Sequence, residues 1–418
     1  MKKSFIHCAD IHLGRQQFNS DQRWSDFGVT LRNIIDTSVE KKVDYILLSG
    51  DFFHERVINA KTLSLSTEIL SKAKNAGIDI IAIEGNHDKA PYKDGQSWLE
   101  YLDKEGYIKL LYLNYDENGD PILAPYENGC GNILIYDDLR IIGLGYLGAS
   151  TPKRINQIKE AIGEFNGFTI VMLHAAVDTL LGQSLGGFKG EALKEFNNVD
   201  YFALGHIHSR YEGENWYNPG APEYVHLDEA KTKNGIAPQK GYYYVTLEDK
   251  KADINFIEST KRRVIYKEID LFGCKSADEV KICVLSQALQ YMDKEAILYA
   301  RLSGELDFSP IEIDIYSIQQ EISNPQMFFY CEIVNMCTLK GIKNEEINIE
   351  LDKNEIERVV FKMMLNEKYP NVNFEAGIED FIVSIKDNVL SGEEPENIAQ
   401  AIQEYALRAD KEVLLNED

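Results

Sequence analysis

Five short polar blocks in the first half of the chain contain residue types that bind metal ions in proteins. They are Asp10-Ile11-His12, Gly50-Asp51, Gly85-Asn86-His87-Asp88, His174 and Gly205-His206-Ile207-His208. In Asp10-x-His12 and His206-x-His208 the paired residues are two apart, so both side chains point the same way in extended backbone. Carboxylate, amide and imidazole groups together suit manganese, iron or zinc better than calcium. The residue types therefore predict a site for divalent cations that needs no thiolate.

Each block follows a short apolar segment with the composition of a buried strand. The predicted strands are Ser4–Ala9, Asp44–Ser49, Asp79–Ile83, Thr169–Leu173 and Tyr201–Leu204. Segments with helical spacing lie between them, at Trp24–Lys41, Ala60–Asn75 and Pro152–Phe165. This alternation predicts an α/β core. Because loops at the carboxyl ends of parallel strands converge on one crevice, the five blocks should meet there.

The pattern changes near Gly241, where strand-like segments follow one another directly. The predicted strands here are Tyr242–Leu247, Asp253–Glu258, Arg263–Leu271 and Ala296–Leu302, with a helix over Ser276–Met292. We therefore predict three domains, which are a catalytic α/β domain at 1–260, a smaller α+β capping domain at 261–340 and an acidic helical region at 341–418.

The acidic C-terminal region has one apolar stripe at helical spacing. It is formed by Ile398, Ile402, Tyr405, Ala409 and Val413. Such a stripe packs a helix either on its own domain or on a partner protein, and the sequence leaves both interpretations open.

Composition excludes several classes of protein. Asp and Glu number 68 against 44 Lys and Arg, so the formal net charge is −24. A chain this acidic does not coat nucleic acid through its overall charge, although cations at a local site can offset the repulsion. No apolar run approaches the roughly 20 residues of a membrane-spanning helix. Six scattered cysteines without a CxxC pair indicate reduced thiols, so we expect a cytoplasmic protein.

The five blocks together resemble the signature of the calcineurin-like metallophosphoesterase superfamily, over about residues 1–225. The closer resemblance is to the SbcD-type DNA double-strand-break repair nucleases of bacteria and archaea. It is carried by Asp10-Ile11-His12-Leu13-Gly14, by Ser49-Gly50-Asp51-Phe52-Phe53-His54 and by Ala82-Ile83-Glu84-Gly85-Asn86-His87-Asp88. The resemblance implies a layered α/β metallophosphoesterase core with β-sheets flanked by helices, a smaller α+β capping domain and a C-terminal helical region.

The same resemblance implies a function. It predicts a phosphodiesterase with two divalent metal ions, with Mn²⁺ as the expected metal, that acts as a DNA exo/endonuclease in double-strand-break repair or end processing. The implied partners are DNA and an SbcC-type, SMC-like coiled-coil ATPase that binds the C-terminal region, with the nuclease as a homodimer within a heterotetramer. No glycine-rich nucleotide loop is evident, so ATP dependence would come from that partner.

Two alternatives remain open at this point. One is a phosphodiesterase that acts on a small or non-DNA substrate, which the acidic composition favours slightly. The other is a non-catalytic scaffold that binds DNA ends or a partner. The presence of every ligand position weighs against the scaffold.

The matched positions also imply roles for single residues. The implied metal ligands are Asp10, His12, Asp51, Asn86, His174, His206 and His208. Asp51 would bridge the two ions, because a carboxylate has two oxygens to share. Asp10, His12 and His208 would complete one ion, and Asn86, His174 and His206 the other.

The implied catalytic residues are His87, His54 and Asp88. His87 would act at the leaving oxygen, since the pKa of histidine lies near neutrality. Asp88 either fixes the tautomer of His87 or caps a turn. His54 belongs either to the active site or to an exposed helix start.

Three basic residues lie just beyond the motif loops. They are Arg15, Lys89 and Lys93. They either contact phosphate groups or are simply solvated.

Overall fold

The computed structural model describes residues 2–90, 95–177, 188–232 and 236–340, together with 361, 365, 378–390, 398–403 and 405. The chain divides into two compact units, residues 1–339 and 340–418. The finer prediction of three domains, with a boundary at residue 260, stays a prediction.

The described strands, in chain order, are β1 (Lys2–Cys8), β2 (Tyr45–Ser49), β3 (Asp79–Ile83), β4 (Lys109–Leu110), β5 (Asn114–Tyr115), β6 (Pro121–Ile122), β7 (Ile133–Tyr136), β8 (Leu139–Gly145), β9 (Phe168–His174), β10 (Tyr201–Gly205), β11 (Tyr211–Glu212), β12 (Trp216–Asn218), β13 (Gly241–Glu248), β14 (Lys251–Glu258), β15 (Val264–Asp270), β16 (Asp293–Ser303), β17 (Glu305–Leu306), β18 (Phe328–Asn335) and β19 (Thr338–Leu339). The described α-helices are α1 (Asp21–Lys41), α2 (Ala60–Asn75), α3 (Trp98–Lys104), α4 (Thr151–Ala161), α5 (Glu191–Lys194), α6 (Ala277–Leu289), α7 (Ile315–Ile322) and α8 (Ile378–Leu390).

Two six-stranded sheets form the core of the first unit. One has the order β14-β13-β1-β2-β3-β4 and the other the order β11-β12-β10-β9-β8-β7. Strands β1 to β4 are parallel, and so are β8, β9, β10 and β12. The five strands predicted before the polar blocks are confirmed, but they belong to two sheets.

The sheets pack face to face through a continuous apolar layer. Phe5, Leu47 and Ile81 of the first sheet belong to one buried cluster with Met172 and Ala203 of the second. Helices α1, α2 and α3 cover the outer face of the first sheet, and α4 covers that of the second. Both faces of the central strands are buried, so their sequences are uniformly apolar rather than alternating.

Local sequence signals start two of the helices that flank the first sheet. The hydroxyl of Ser20 accepts a hydrogen bond from the amide of Arg23 at the start of α1. The side chain of Asn59 does the same for the amide of Thr62 at the start of α2. These caps satisfy amides that no helical carbonyl reaches, which explains why the predicted helices agree closely with α1 and α2.

Strand β8 was missed by the sequence reading, although all seven of its residues are buried. Its sequence, Leu-Arg-Ile-Ile-Gly-Leu-Gly, is interrupted by a charged residue. The guanidinium of Arg140 lies over the ring of Phe165 and donates to the carbonyl oxygen of Gly163. Contacts distant in sequence therefore make an interior position tolerable for this arginine.

A smaller α+β subdomain follows, as predicted from the sequence. Strands β15, β16 and β18 form a parallel three-stranded sheet, and α6 and α7 pack on one of its faces around a separate apolar cluster. The other face contacts the core, where Tyr266 and Tyr299 pack with Tyr224 and Leu227.

An ion pair fixes the start of this subdomain to α1. Arg262 donates from Nε and Nη2 to the two carboxylate oxygens of Asp26, at 2.6 and 2.9 Å. The ring of Phe18 stacks on Tyr330 with centroids 3.6 Å apart. The bidentate contact between Arg262 and Asp26 fixes the orientation of the subdomain as well as its distance from α1.

In the second unit, α8 confirms the helical character predicted for the C-terminal region. Tyr405, from the predicted apolar stripe, stacks on Phe381 of α8 with centroids 3.9 Å apart. This part of the stripe packs within its own unit, whereas Ile402 is exposed. Ala409 and Val413 lie outside the described residues. None of the described helices has both the length and the hydropathy required to cross a membrane.

His7 is a buried histidine with a structural role. Its Nε2 donates to the carbonyl oxygen of Leu204 and its Nδ1 accepts from the hydroxyl of Tyr201, both at 3.0 Å. Burial lowers the pKa of His7 to about 3. These contacts join β1 of the first sheet to β10 of the second.

We predict that His7 makes folding stability depend on acid pH. Below pH 6.5 the unfolded chain binds a proton at His7, but the folded chain does so only near pH 3, so stability is lost as the pH falls between these values. His7→Gln keeps a donor and an acceptor but does not titrate. Denaturant unfolding at several pH values should show a slope steeper by up to about 1.4 kcal/mol per pH unit in the parent protein than in the variant. Equal slopes would contradict the assignment.

Candidate metal centre

The polar blocks meet at the carboxyl ends of parallel strands from both sheets. Strands β1, β2 and β3 of the first sheet and β9 and β10 of the second each lead into one block. The residues divide into two neighbouring groups whose ligand atoms lie within 4.8 Å of one another. These are Asp10, His12 and His208, and Asp51, His174 and His206. Two further groups adjoin them, in which His12 lies with His54 and His87, and His208 with His226 and Glu229.

The backbone at this edge adopts a conformation that side chains other than glycine rarely take. Asp10, His12, Asp51 and His206 all have positive φ values, between 49° and 94°. Left-handed backbone of this kind costs of order 1–3 kcal/mol per residue and persists where surrounding contacts enforce it. Here the amides of Asp10 and His12 donate to the carbonyl oxygens of Gly50 and Asp51, both at 3.0 Å.

Two glycines allow the loops to approach closely. A Cβ atom on Gly50, where φ is +89°, would lie 2.3 Å from Nδ1 of His174. A Cβ atom on Gly85 would lie 2.1 Å from Oδ1 of Asp51. Both positions therefore require glycine, because any side chain would displace a residue of the centre.

The carboxylate of Asp51 lies between the two groups. Its Oδ2 is 3.3 Å from Nε2 of His174 and 3.8 Å from Nε2 of His12. Its Oδ1 accepts from the amide of His87 at 2.9 Å. Burial alone would raise the pKa of Asp51, but His174, His12 and this amide hold it below its ordinary value.

His174 presents a buried lone pair to the centre. Its Nδ1 donates to the carbonyl oxygen of Ser49 at 2.8 Å, which leaves Nε2 as the acceptor of the neutral ring. This Nε2 is buried and has no hydrogen-bond partner among the described residues. Burial lowers the pKa of His174, but the adjacent Asp51 carboxylate outweighs it and raises the pKa to about 9. A buried, unpartnered lone pair beside a carboxylate is suited to a cation.

His208 is oriented by residues that the sequence reading did not identify. Its Nδ1 donates to Oε1 of Glu229 at 2.6 Å, and its Nε2 lies 3.1 Å from Nε2 of His12. The fully buried Lys240 forms an ion pair with Glu229 and donates to the carbonyl oxygen of His208. Burial alone would raise the pKa of Glu229, but His208 and Lys240 lower it to about 2. A carboxylate behind a histidine is the usual arrangement behind metal-binding imidazoles.

Asp10 and Asn86 complete the donor set. Both carboxylate oxygens of Asp10 lie 3.1 Å from the amide of His206, and burial raises the pKa of Asp10 to about 6. Oδ1 of Asn86 is buried and has no hydrogen-bond partner among the described residues. The unsatisfied oxygen of Asn86 and the unsatisfied nitrogen of His174 fit a bound cation, since buried polar atoms are otherwise paired. The residues present therefore fit divalent cations.

His54 and His87 stand beside this donor set. Nδ1 of His54 lies 3.3 Å from Nδ1 of His12, and the rings of His54 and His87 stack with centroids 5.6 Å apart. Nδ1 of His87 donates to the carbonyl oxygen of His54 at 2.6 Å. Burial, followed by the charge of Arg15, lowers the pKa of His54 to about 3. The structure therefore places both histidines at the centre, and His54 is not an isolated surface residue.

Asp88 occupies the turn-capping position, one of the two roles predicted for it, and its action on the ring of His87 stays a prediction. Its carboxylate accepts from the amides of Phe52, Phe53 and Gly85, at 2.9 to 3.1 Å. The ring of His87 is held by the carbonyl oxygen of His54. Asp88 thus joins the loops that carry Asp51 and Asn86.

Comparisons with known proteins agree with this geometry. Residues 3–210 match the family model for calcineurin-like phosphoesterases. The chain is 26% identical over 318 residues to the DNA double-strand break repair protein Mre11 of Archaeoglobus fulgidus, across 72% of this chain and 68% of that protein. It is also 26% identical over 389 residues to the DNA double-strand break repair protein Mre11 of Methanococcus maripaludis, across 90% and 93% of the two.

Residues 3–210 are a calcineurin-like phosphoesterase domain. Metal-dependent hydrolysis of phosphoesters is the chemistry of this family, and the two clusters of histidine and aspartate supply the donors for it. Among solved structures, a dimetal phosphatase from Danio rerio aligns with a TM-score of 0.39 and 10% identity, over 62% of this chain and 98% of that chain.

Several residues of the phosphoesterase centre have no signal in the sequence. Glu229 and Lys240 lie 21 and 32 residues beyond His208 in sequence. His226 stacks on His208 with centroids 5.7 Å apart, and Tyr146 follows the unpredicted strand β8 and lies 5.5 Å from the ring of His206. A buried lysine paired with a glutamate is recognisable only once both are seen in space.

The three basic residues near the motif loops have different surroundings in the structure. Arg15 lies at the centre, with Nη1 2.6 Å from Nε2 of His54. Lys89 forms an ion pair with Glu84 at 3.1 Å. Lys93 lies outside the described residues.

We predict that Gly50→Ala weakens metal binding more than it weakens the fold. The new methyl group would displace His174, and the affinity for Mn²⁺ should fall roughly 10- to 100-fold, as it does when metal ligands lose their orientation. Gly77→Ala is the matched control, because Gly77 also has positive φ, +74°, but no atom lies within 4 Å of its Cβ position. Calorimetric titration with Mn²⁺, together with unfolding of both variants, separates lost binding from backbone strain. Equal Mn²⁺ affinities in the two variants would refute the prediction.

Proposed function

We propose that this protein is a manganese-dependent nuclease that hydrolyses phosphodiester bonds of DNA, as an exo/endonuclease that processes the ends of double-strand breaks. The observation that carries the proposal is the position of Asp51 between two ligand groups, within 4 Å of His174 in one and of His12 in the other. Relatives whose names specify DNA double-strand break repair support the choice of DNA.

Seven residues would hold the cations. Asp10, His12 and His208 would bind one, Asn86, His174 and His206 the other, and Asp51 would be shared. When bound, such a pair of ions provides an activated water and offsets the negative charge of the diester. Carboxylate, amide and imidazole donors suit manganese, and the described centre contains no cysteine.

The chain itself supplies the group at the leaving oxygen. Nδ1 of His87 is committed to the carbonyl oxygen of His54, so its Nε2 is the nitrogen that can hold or donate a proton. Asp88 fixes the turn that carries Asn86 and His87 through three amide hydrogen bonds. His87 is thereby oriented beside the donor set and is left free for proton transfer.

The proposal includes a partner. Like the nucleases that it resembles, the protein would act as a homodimer within a heterotetramer that contains an SbcC-type, SMC-like ATPase, and the second unit would provide the docking helix. The exposed side chain of Ile402 is compatible with such a contact. Light scattering of the full chain, alone and mixed with the ATPase, measures both associations, and a chain that stays monomeric in the mixture would remove this part of the proposal.

A substrate panel tests the reaction itself. Purified protein with Mn²⁺ should degrade linear duplex or single-stranded DNA faster than cyclic nucleotides or other small phosphodiesters. The net charge of −24 favours the small substrates as the second candidate, because it opposes a long polyanion. Faster turnover of the small phosphodiesters would identify them, and not DNA, as the substrate. The absence of turnover with every divalent metal, together with tight binding of the partner, would indicate a scaffold.

We predict that His87→Ala keeps the metals and loses hydrolysis. Removal of a general acid or base lowers the rate by roughly 10²- to 10⁴-fold. His87 belongs to neither of the two groups that contain an aspartate, and it lies with His12 and His54 in a group made only of histidines. Asp51→Asn is the contrasting variant, which should lose both metal binding and activity. Metal content by mass spectrometry and DNA hydrolysis, measured on the same samples, distinguish the two effects. Full nuclease activity in His87→Ala would falsify the role given to His87.

A further inference from the structure

Arg15 differs from the structural arginines of this protein. Arg23, for comparison, is fully buried and lies 2.7 and 3.4 Å from the carboxylates of Asp26 and Glu223. Arg15 is only partly buried, and no carboxylate of the described residues lies within 4 Å of its guanidinium group. Its Nη1 donates to Nε2 of His54, while its Nε is buried and has no hydrogen-bond partner among the described residues. This arginine therefore has unused donors beside the metal centre.

A second arginine lies on the same side of the centre. Arg56 is exposed, and its Nη2 donates to the carbonyl oxygen of Asn86 at 3.2 Å. It also has no ion-pair partner within 4 Å among the described residues. Arg15 follows β1 and Arg56 follows β2, so two separate loops bring positive charge to the side of the centre where His54 and His87 lie.

With two cations bound, the metal centre has no surplus negative charge to balance Arg15 and Arg56, so a further anion would stabilise them. Two divalent cations carry four positive charges. Asp10 and Asp51 provide two negative charges, and a single phosphodiester and an activated water in its hydroxide form provide one each, which brings the centre with bound ions and substrate to neutrality. The nearby Glu229 is already paired with Lys240. Glu229 and Glu55 act on Arg15 only from a distance, since neither forms an ion pair with it within 4 Å. The two guanidinium groups therefore add positive charge that a further phosphate would offset.

We infer that Arg15 and Arg56 form a second phosphate position on the His54 side of the metal centre, so that the preferred substrate carries a neighbouring phosphate beside the one that is cleaved. Guanidinium groups bind phosphate oxygens through paired donors, and each arginine has such donors unused. The inference rests on the proposed function and narrows its substrate to a strand with repeated phosphates rather than an isolated diester.

Binding measurements test the position without relying on turnover. The probes are thymidine 5′-monophosphate and thymidine 3′,5′-bisphosphate, titrated calorimetrically into the full chain with Mn²⁺. The parent protein should bind the bisphosphate at least about tenfold more tightly, which is the usual effect of one charge-assisted contact. Arg15→Gln should remove most of this preference, Arg56→Gln part of it, and the double variant all of it. Arg15→Lys should retain an intermediate preference, because lysine keeps the charge without the planar fork.

A matched control removes charge elsewhere. Arg32 on α1 pairs with the exposed Glu68, and Arg32→Gln should leave the preference for the bisphosphate at its parental value. Equal affinity of the parent protein for the two probes would overturn the inference. A preference that survives in the Arg15→Gln, Arg56→Gln double variant would do so as well. If Arg15→Gln weakens both probes by the same factor, Arg15 serves the cleaved phosphate or His54, and the second position is again refuted.

Hydrolysis separates this inference from the proposed function. The substrates are the dinucleotide dTpdT and the same dinucleotide with an added 5′- or 3′-phosphate. The parent protein should cleave one phosphorylated form with a lower KM than dTpdT, and Arg15→Gln should raise that KM more than it lowers kcat. Cleavage of all three with equal KM would reject the second position alone. No cleavage of any of them, combined with an Arg15-dependent preference for the bisphosphate, would reject the nuclease function and retain the second position.

Discussion

The contact on which the rest of the centre depends is that of the Asp51 carboxylate with His174. It joins the end of β2 in one sheet to the end of β9 in the other, in a position that is almost inaccessible to solvent. The two sheets must pack in one relative position for these groups to lie 3.3 Å apart, and the apolar layer between the sheets fixes that position. Burying a carboxylate among imidazoles costs free energy of folding unless positive charge compensates it. A bound cation would supply that charge.

The backbone around the centre shows the conformational strain that this arrangement requires. Four residues of the donor set have positive φ, and Gly50 and Gly85 leave space that any other residue would fill. Hydrogen bonds between the loops hold these conformations. They include the three hydrogen bonds that the Asp88 carboxylate accepts from backbone amides. The layered fold thus supplies rigid strand ends, and the short loops convert that rigidity into the placement of side chains.

The electrostatics of the molecule are local rather than global. The chain is strongly acidic, yet the rim of the centre has Arg15 and Arg56 without carboxylate partners within 4 Å in the described part of the chain. Acidic proteins can act on polyanions when cations and a few arginines dominate the field close to the reacting group. The charges within a few ångströms of Asp51 therefore bear more directly on the substrate than the overall charge does.

The sequence alone was sufficient to predict that the five polar blocks meet, because each follows a strand and the carboxyl ends of parallel strands lie at one edge. It was also sufficient for α1 and α2, whose caps are local. It could not predict that the strands divide between two sheets, or that β8 tolerates Arg140, because both depend on packing between distant segments. It could not identify Glu229 and Lys240 behind His208, choose a partner for Asp88, or place Arg15 against His54. Partners of polar side chains are decided by proximity in space, and loops of similar composition can lie against different neighbours until the tertiary structure fixes one arrangement.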